Sequence, residues 1–114
     1  MSIKFYHNPR CSKSRQALAL LQKEGVQLQI IEYLKHPPNF ETLSEIIRKL
    51  NCKPIDIMRT KETVFRDLSL NSAKKDEELI QSMIEYPILI ERPIVVSKTK
   101  AILGRPPENV LTIL

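Results

Sequence analysis

One cysteine stands in the run His7-Asn8-Pro9-Arg10-Cys11-Ser12-Lys13-Ser14-Arg15, a setting that makes a thiol reactive. The apolar stretch Ile3 to Tyr6 precedes it, and a helix-forming run with Leu18 and Leu21 follows. Cys11 therefore falls where a strand passes through a tight loop into a helix N-terminus. The first N–H groups of a helix have no partner within it and its dipole is positive there, so a thiolate is favoured. Arg10, Lys13 and Arg15 add positive charge nearby. Together these features lower the thiol pKa and make sulfur a nucleophile at neutral pH. The same geometry attracts oxyanions, so the chemistry to expect is attack by sulfur on an oxyanion.

The pattern Cys11-Ser12-Lys13-Ser14 is Cys-x-x-Ser, so the loop cannot close a disulfide on itself. Oxidised Cys11 has to be resolved by Cys52, by glutathione or by another protein's thiol. Arg15 comes too soon after Cys11 for the Cys-x5-Arg cradle of tyrosine phosphatases. Cys52 follows a helix-ending Asn51 and reads as a small packing residue. His7 is placed to orient the loop or to assist the thiolate, and a structural hydrogen bond from a helix-capping histidine fits it about as well. His36 reads as a loop residue before two prolines. Two histidines and two cysteines at unrelated spacings make no zinc site, and no metal is expected. Arg59, Arg92 and Arg105 each fall at an element boundary, where a site on a sheet edge would be built. A planar guanidinium holds a tetrahedral oxyanion through paired N–H groups better than an ammonium does.

The elements that must position these groups follow from periodicity. The helix after Cys11 should stop at Gly25, a natural C-terminal cap. Val26, Leu28 and Ile30 alternate with Gln27 and Gln29, which predicts a half-buried strand running on to Tyr33. The opening strand–helix–strand should be parallel with a right-handed crossover. Pro37-Pro38 breaks the chain and Asn39 can cap a second helix, on which Leu43, Ile46, Ile47 and Leu50 form one apolar stripe. Short helices are expected from Ile55 to Leu68, around Arg59, and another from Glu77 to Glu85. Pro93 to Val96 reads as a buried strand and Ala101 to Leu103 as its hairpin partner, ending at Gly104. Pro106 or Pro107 suits the first turn of a last short helix carrying Val110, Leu111 and Ile113. The order βαβ, helical block, ββα, with a cysteine at the first strand–helix junction and a proline opening the third strand, fits an α/β thioredoxin-like mixed sheet. Its core would be 1–36 and 87–114, with a helical insertion over 37–86 between strands 2 and 3, in a single domain spanning 1–114.

The 114 residues suffice for a core without disulfide or metal staples. Net charge is +5, but the basic residues are scattered among 13 acidic ones and aromatics make up only 5%. A nucleic-acid interface would need a basic stripe interleaved with stacking aromatics, so no nucleic-acid partner is expected. There is no apolar run of membrane-spanning length and no signal-peptide pattern at Met1-Ser2-Ile3-Lys4. With two cysteines only, the expectation is a reducing, cytoplasmic setting.

The chain resembles the ArsC family, the glutaredoxin-coupled arsenate reductases, and within it the YfgD-like branch. The matching motifs are the Cys11 loop, Tyr33-Leu34, Met58-Arg59, the run from Pro87 to Val96, and Gly104-Arg105-Pro106-Pro107-Glu108. The resemblance implies that Cys11 attacks arsenate to form a thiol–arsenate adduct and that Arg59, Arg92 and Arg105 hold the oxyanion. It implies that His7, Ser14 and Arg15 support the thiolate and that Pro93 is a cis-proline. No bound cofactor is implied; glutathione with glutaredoxin supplies the electrons, and the chain is expected to act as a monomer. Two other readings compete. Spx-type regulators of this fold family dock on RNA polymerase, but they carry a Cys-x-x-Cys switch that this loop lacks. A glutathione-dependent thiol enzyme without an oxyanion substrate would have no use for the arginines.

Overall fold

The computed structural model describes residues 2–114, and the chain divides into two compact units. The first, residues 1–36 and 92–114, is built on a four-stranded sheet. Its strands are β1 (Ile3–His7), β2 (Leu28–Glu32), β3 (Ile94–Val96) and β4 (Ala101–Leu103) in the order β2-β1-β3-β4. β1 and β2 are parallel, with Phe5 opposite Ile30, while β1 with β3 and β3 with β4 are antiparallel. This mixed arrangement is the one the element order predicts. α1 (Ser12–Lys23) provides the crossover. Gly25 ends it at φ +72, the left-handed conformation that a side chain would oppose.

Ala17 and Leu21 of α1 and Val110 and Ile113 of a C-terminal 3₁₀ segment, Pro107–Ile113, pack with Ile3, Phe5 and Val95 of the sheet. The last element was expected as a helix. It is wound as 3₁₀, and it still delivers Val110 and Ile113 to the core. β2 departs further from expectation. It is shorter than Val26–Tyr33, and Ile30 is 45% exposed. β2 is the sheet edge, and alternation along a strand does not say whether a neighbour lies beyond it.

The second unit, residues 37–91, holds α2 (Phe40–Leu50), α3 (Thr63–Asp67) and α4 (Asp76–Glu85). Asn39 caps α2 by accepting a hydrogen bond from the Thr42 N–H at 2.8 Å, and Asn51 ends it at φ 56. Leu43, Ile46 and Ile47 of α2 and Leu79, Ile80 and Met83 of α4 are buried. Residues 87–91, assigned from the sequence to the sheet core, belong to this unit. The reason is a bridge between Met58 and Ile90, flanked by bonds from the Arg59 N–H to the Leu89 carbonyl and from the Glu91 N–H to the Ile57 carbonyl, each 2.8 Å. No helix among the described residues is long and apolar enough to cross a membrane.

Candidate active site

The loop between β1 and α1 is held by hydrogen bonds that its own residues supply. Asn8-Pro9-Arg10-Cys11 forms a turn closed by the Cys11 N–H on the Asn8 carbonyl at 3.0 Å, with proline at its favoured second position. The Asn8 side-chain oxygen also accepts the Arg10 N–H at 3.0 Å, and Arg15 Nη1 reaches the Pro9 carbonyl at 2.9 Å. Cys11 is the residue that caps α1, in an extended conformation (φ −91, ψ 121), and its carbonyl accepts the Arg15 N–H at 3.0 Å.

Beneath the loop, His7 and Ser14 are buried. Ser14 Oγ lies 2.6 Å from His7 Nδ1 and accepts the Asn8 N–H at 3.1 Å. Burial lowers the His7 pKa; Glu32 opposes this and Arg15 adds to it. The Ser14 oxygen takes the Asn8 N–H, and the direction of its bond with His7 Nδ1 follows the ring's tautomer. His7 is thus joined to the loop through Ser14.

Burial raises the pKa of the Cys11 thiol, but the Ser14 N–H, the Arg92 guanidinium and the Lys13 N–H outweigh it, and the net direction is down. Cys52, in the second unit, goes the other way, because burial and the Asp56 carboxylate both disfavour its thiolate. Of the two thiols, Cys11 is the one whose surroundings favour the thiolate. Cys11 is half-buried.

Arg92 and Arg105 come together on the strands beside this loop. Arg92 precedes β3 through a cis bond to Pro93, and Arg105 follows β4 through a second cis bond to Pro106. Arg105 Nε donates to the Arg92 carbonyl at 3.0 Å. Atoms Nε and Nη1 of Arg92 are buried, and its guanidinium hydrogen-bonds the Cys11 sulfur. Gly104 lets the two chain segments meet: its N–H bonds the Pro93 carbonyl at 2.9 Å. A Cβ there would lie 2.7 Å from Pro93 Cγ and 2.8 Å from Val110 Cγ1.

Of the residues singled out from the sequence, the first unit thus holds Cys11, Arg92, Arg105, His7, Ser14, Arg15 and Pro93. Arg59 belongs to the second unit, where it forms ion pairs with Glu62 (3.1 Å) and Glu91 (3.8 Å). The sequence reading missed Asn8, although an Asn-Pro pair is a turn signal. It also missed the Glu62 and Glu91 partners of Arg59; the Glu91 pairing depends on the Met58–Ile90 bridge, which leaves no periodic trace in the sequence. No group of three or more His, Cys, Asp or Glu side chains that could hold a metal occurs among the described residues.

A sulfur nucleophile with a guanidinium beside it can bond to an electrophilic centre while the cation holds that centre's negative oxygens. Comparison with known proteins agrees in kind. The ArsC family profile matches residues 6–113. The chain is 46% identical over 114 residues to the uncharacterised protein YfgD of Escherichia coli, covering 98% of this chain and 96% of that one. It is 44% identical over 116 residues to the arsenate reductase of Haemophilus influenzae, covering both chains in full. A solved structure of an arsenate reductase from Vibrio cholerae superposes with a TM-score of 0.94 at 46% identity, covering 100% of this chain and 98% of that one.

Proposed function

The chain belongs to the ArsC family, and on that premise we propose that it is a monothiol oxidoreductase that reduces arsenate to arsenite. The observation that carries this reading is the Cys11 sulfur at the α1 N-terminus, its pKa lowered with the Arg92 guanidinium beside it. The Cys11 thiolate attacks arsenic, an S–As bond forms, and one arsenate oxygen leaves as water after protonation. Arg92, Arg105 and Arg59 are the residues assigned to the remaining oxygens.

Two electrons must then reach arsenic, and this loop has no second cysteine to supply them: Ser14 stands at that position. Glutathione, with a glutaredoxin, is the reductant proposed. Per cycle, one arsenate and two glutathione thiols give one arsenite, one glutathione disulfide and one water, and Cys11 returns as a thiol. The chain needs no bound cofactor for this and would work as a monomer in a reducing cytoplasm.

The test is arsenate-dependent NADPH oxidation in the presence of glutathione, glutathione reductase and a glutaredoxin. Turnover should vanish in Cys11→Ser and persist in Cys52→Ser. Activity retained in Cys11→Ser would overturn the reading.

A further inference from the structure

Every N–H of the turn that leads into Cys11 is taken, and Asn8 takes both of those that follow it. In the turn Asn8-Pro9-Arg10-Cys11, Pro9 has no N–H to satisfy. The Arg10 N–H donates to the Asn8 side-chain oxygen and the Cys11 N–H to the Asn8 carbonyl, each at 3.0 Å. The Asn8 N–H itself goes to the buried Ser14 Oγ at 3.1 Å. One residue thus ties the turn to itself and to the first turn of α1. The groups that favour the thiolate are different ones: the Ser14 and Lys13 N–H groups, which follow the sulfur, and the Arg92 guanidinium.

The Asn8 side chain closes the turn without charge. An aspartate would accept the Arg10 N–H in the same way, since both residue types form this kind of side-chain turn. The first and fourth Cα atoms of a β-turn lie within about 7 Å, so a carboxylate at position 8 would stand close to Cys11. Coulomb repulsion at that separation, with an effective dielectric of roughly 40–80, would raise a thiol pKa by about half a unit to one unit. The geometry of the turn does not distinguish asparagine from aspartate, whereas a neighbouring thiolate does.

We propose that Asn8 is a positioning residue for Cys11: its two oxygens hold the turn that sets the cysteine at the cap of α1, and its neutrality keeps that turn from opposing the thiolate. Asn8 has this role only on the reading that Cys11 is the attacking thiol. It acts through the Arg10 and Cys11 N–H groups, not on the oxyanion.

The experiment is the pH midpoint of iodoacetamide alkylation, measured on the full chain in a Cys52→Ser background so that Cys11 is the one thiol left. The variants are Asn8→Ala, Asn8→Asp and Asn8→Ser, with thermal melting of each. Asn8→Ala should raise the midpoint by about half a unit, which lowers the alkylation rate at pH 7 by about threefold. Asn8→Asp should melt with the parent and still raise the midpoint. Salt at about 1 M, where the Debye length is about 3 Å, should return Asn8→Asp towards the parent and leave Asn8→Ala shifted. Asn8→Ser, whose hydroxyl closes such a turn more weakly, should fall between the parent and Asn8→Ala, and it replaces Asn8→Ala if that variant melts at the assay temperature. A lowered melting temperature in Asn8→Ala with the parent's midpoint would make Asn8 structural only and overturn the inference. An Asn8→Asp midpoint equal to the parent's at low salt would overturn the role of neutrality. No arsenate is present, so neither result depends on the oxyanion or the reductant. A parent midpoint at or above the ordinary 9.0 would instead remove Cys11 as the reactive thiol, and the role of Asn8 with it.

Discussion

Ser14→Ala removes one oxygen from beneath the catalytic loop, and its effect can be worked out from the contacts it breaks. Ser14 is fully buried, and Oγ is the partner of both His7 Nδ1 at 2.6 Å and the Asn8 N–H at 3.1 Å. Alanine fits the same space, so the loss is one of hydrogen bonding and not of packing. A buried polar group left unpaired costs about 1–3 kcal/mol. His7 is buried too, while Asn8 is only part-buried and can regain water, so ~2 kcal/mol is expected. At roughly 2.1 cal/mol/K per residue, the unfolding entropy of 114 residues is ~0.24 kcal/mol/K, and Tm should fall by ~8 °C. The assay is thermal melting by circular dichroism at pH 7.5, with hydrogen exchange at the Asn8 amide as a local readout. That amide should be protected in the parent protein and exchange quickly in the variant. A Tm change within ~2 °C with Asn8 still protected would refute the claim that Ser14 ties the loop to His7.

Other perturbations follow from the same geometry. Gly104→Ala forces a methyl into contacts of 2.7 and 2.8 Å with Pro93 and Val110; overpacking of this kind costs about 1–3 kcal/mol, and urea unfolding should show the loss. Arg92→Ala removes a hydrogen bond and a positive charge from the Cys11 thiolate, so the pH midpoint of Cys11 alkylation should move up from a value that lies below the ordinary 9.0 in the parent. Because burial depresses the His7 pKa, the unfolded chain binds that proton first as pH falls. The stability that His7 contributes is complete above its ordinary pKa of 6.5 and is lost below it. Urea midpoints at pH 7.5 and 5.5 should therefore differ more in the parent than in His7→Asn.

The local features of the site were legible in the sequence because its supports are local. Strand, turn and helix around Cys11 are encoded within Ile3 to Leu21, and the Ser14 and Lys13 N–H groups that favour the thiolate lie within a few residues of it, whereas the charge that does so belongs to the distant Arg92. The amphipathic stripe of α2 and its Asn39 cap were legible for the same reason. The exposure of Ile30 was not, because a period of two identifies a strand and not its place in a sheet. The 3₁₀ winding of Pro107–Ile113 was also hidden, since Val110 and Ile113 meet the core in either winding. The Arg105–Arg92 bond and the Arg59–Glu91 pair link residues 13 and 32 positions apart and depend on how strands and bridges bring the chain back. The second cis bond, at Pro106, had no counterpart in the sequence reading.

The claim that one site holds both the nucleophile and the oxyanion is tested most directly by the rate at which iodoacetamide alkylates Cys11 at pH 7.5 with increasing arsenate and no reductant present. The account predicts rapid alkylation that arsenate slows in a saturable way, with the protecting concentration raised in Arg92→Ala. Rapid alkylation that saturating arsenate leaves unchanged would contradict it: the thiolate would be real, but its partner would not be an oxyanion.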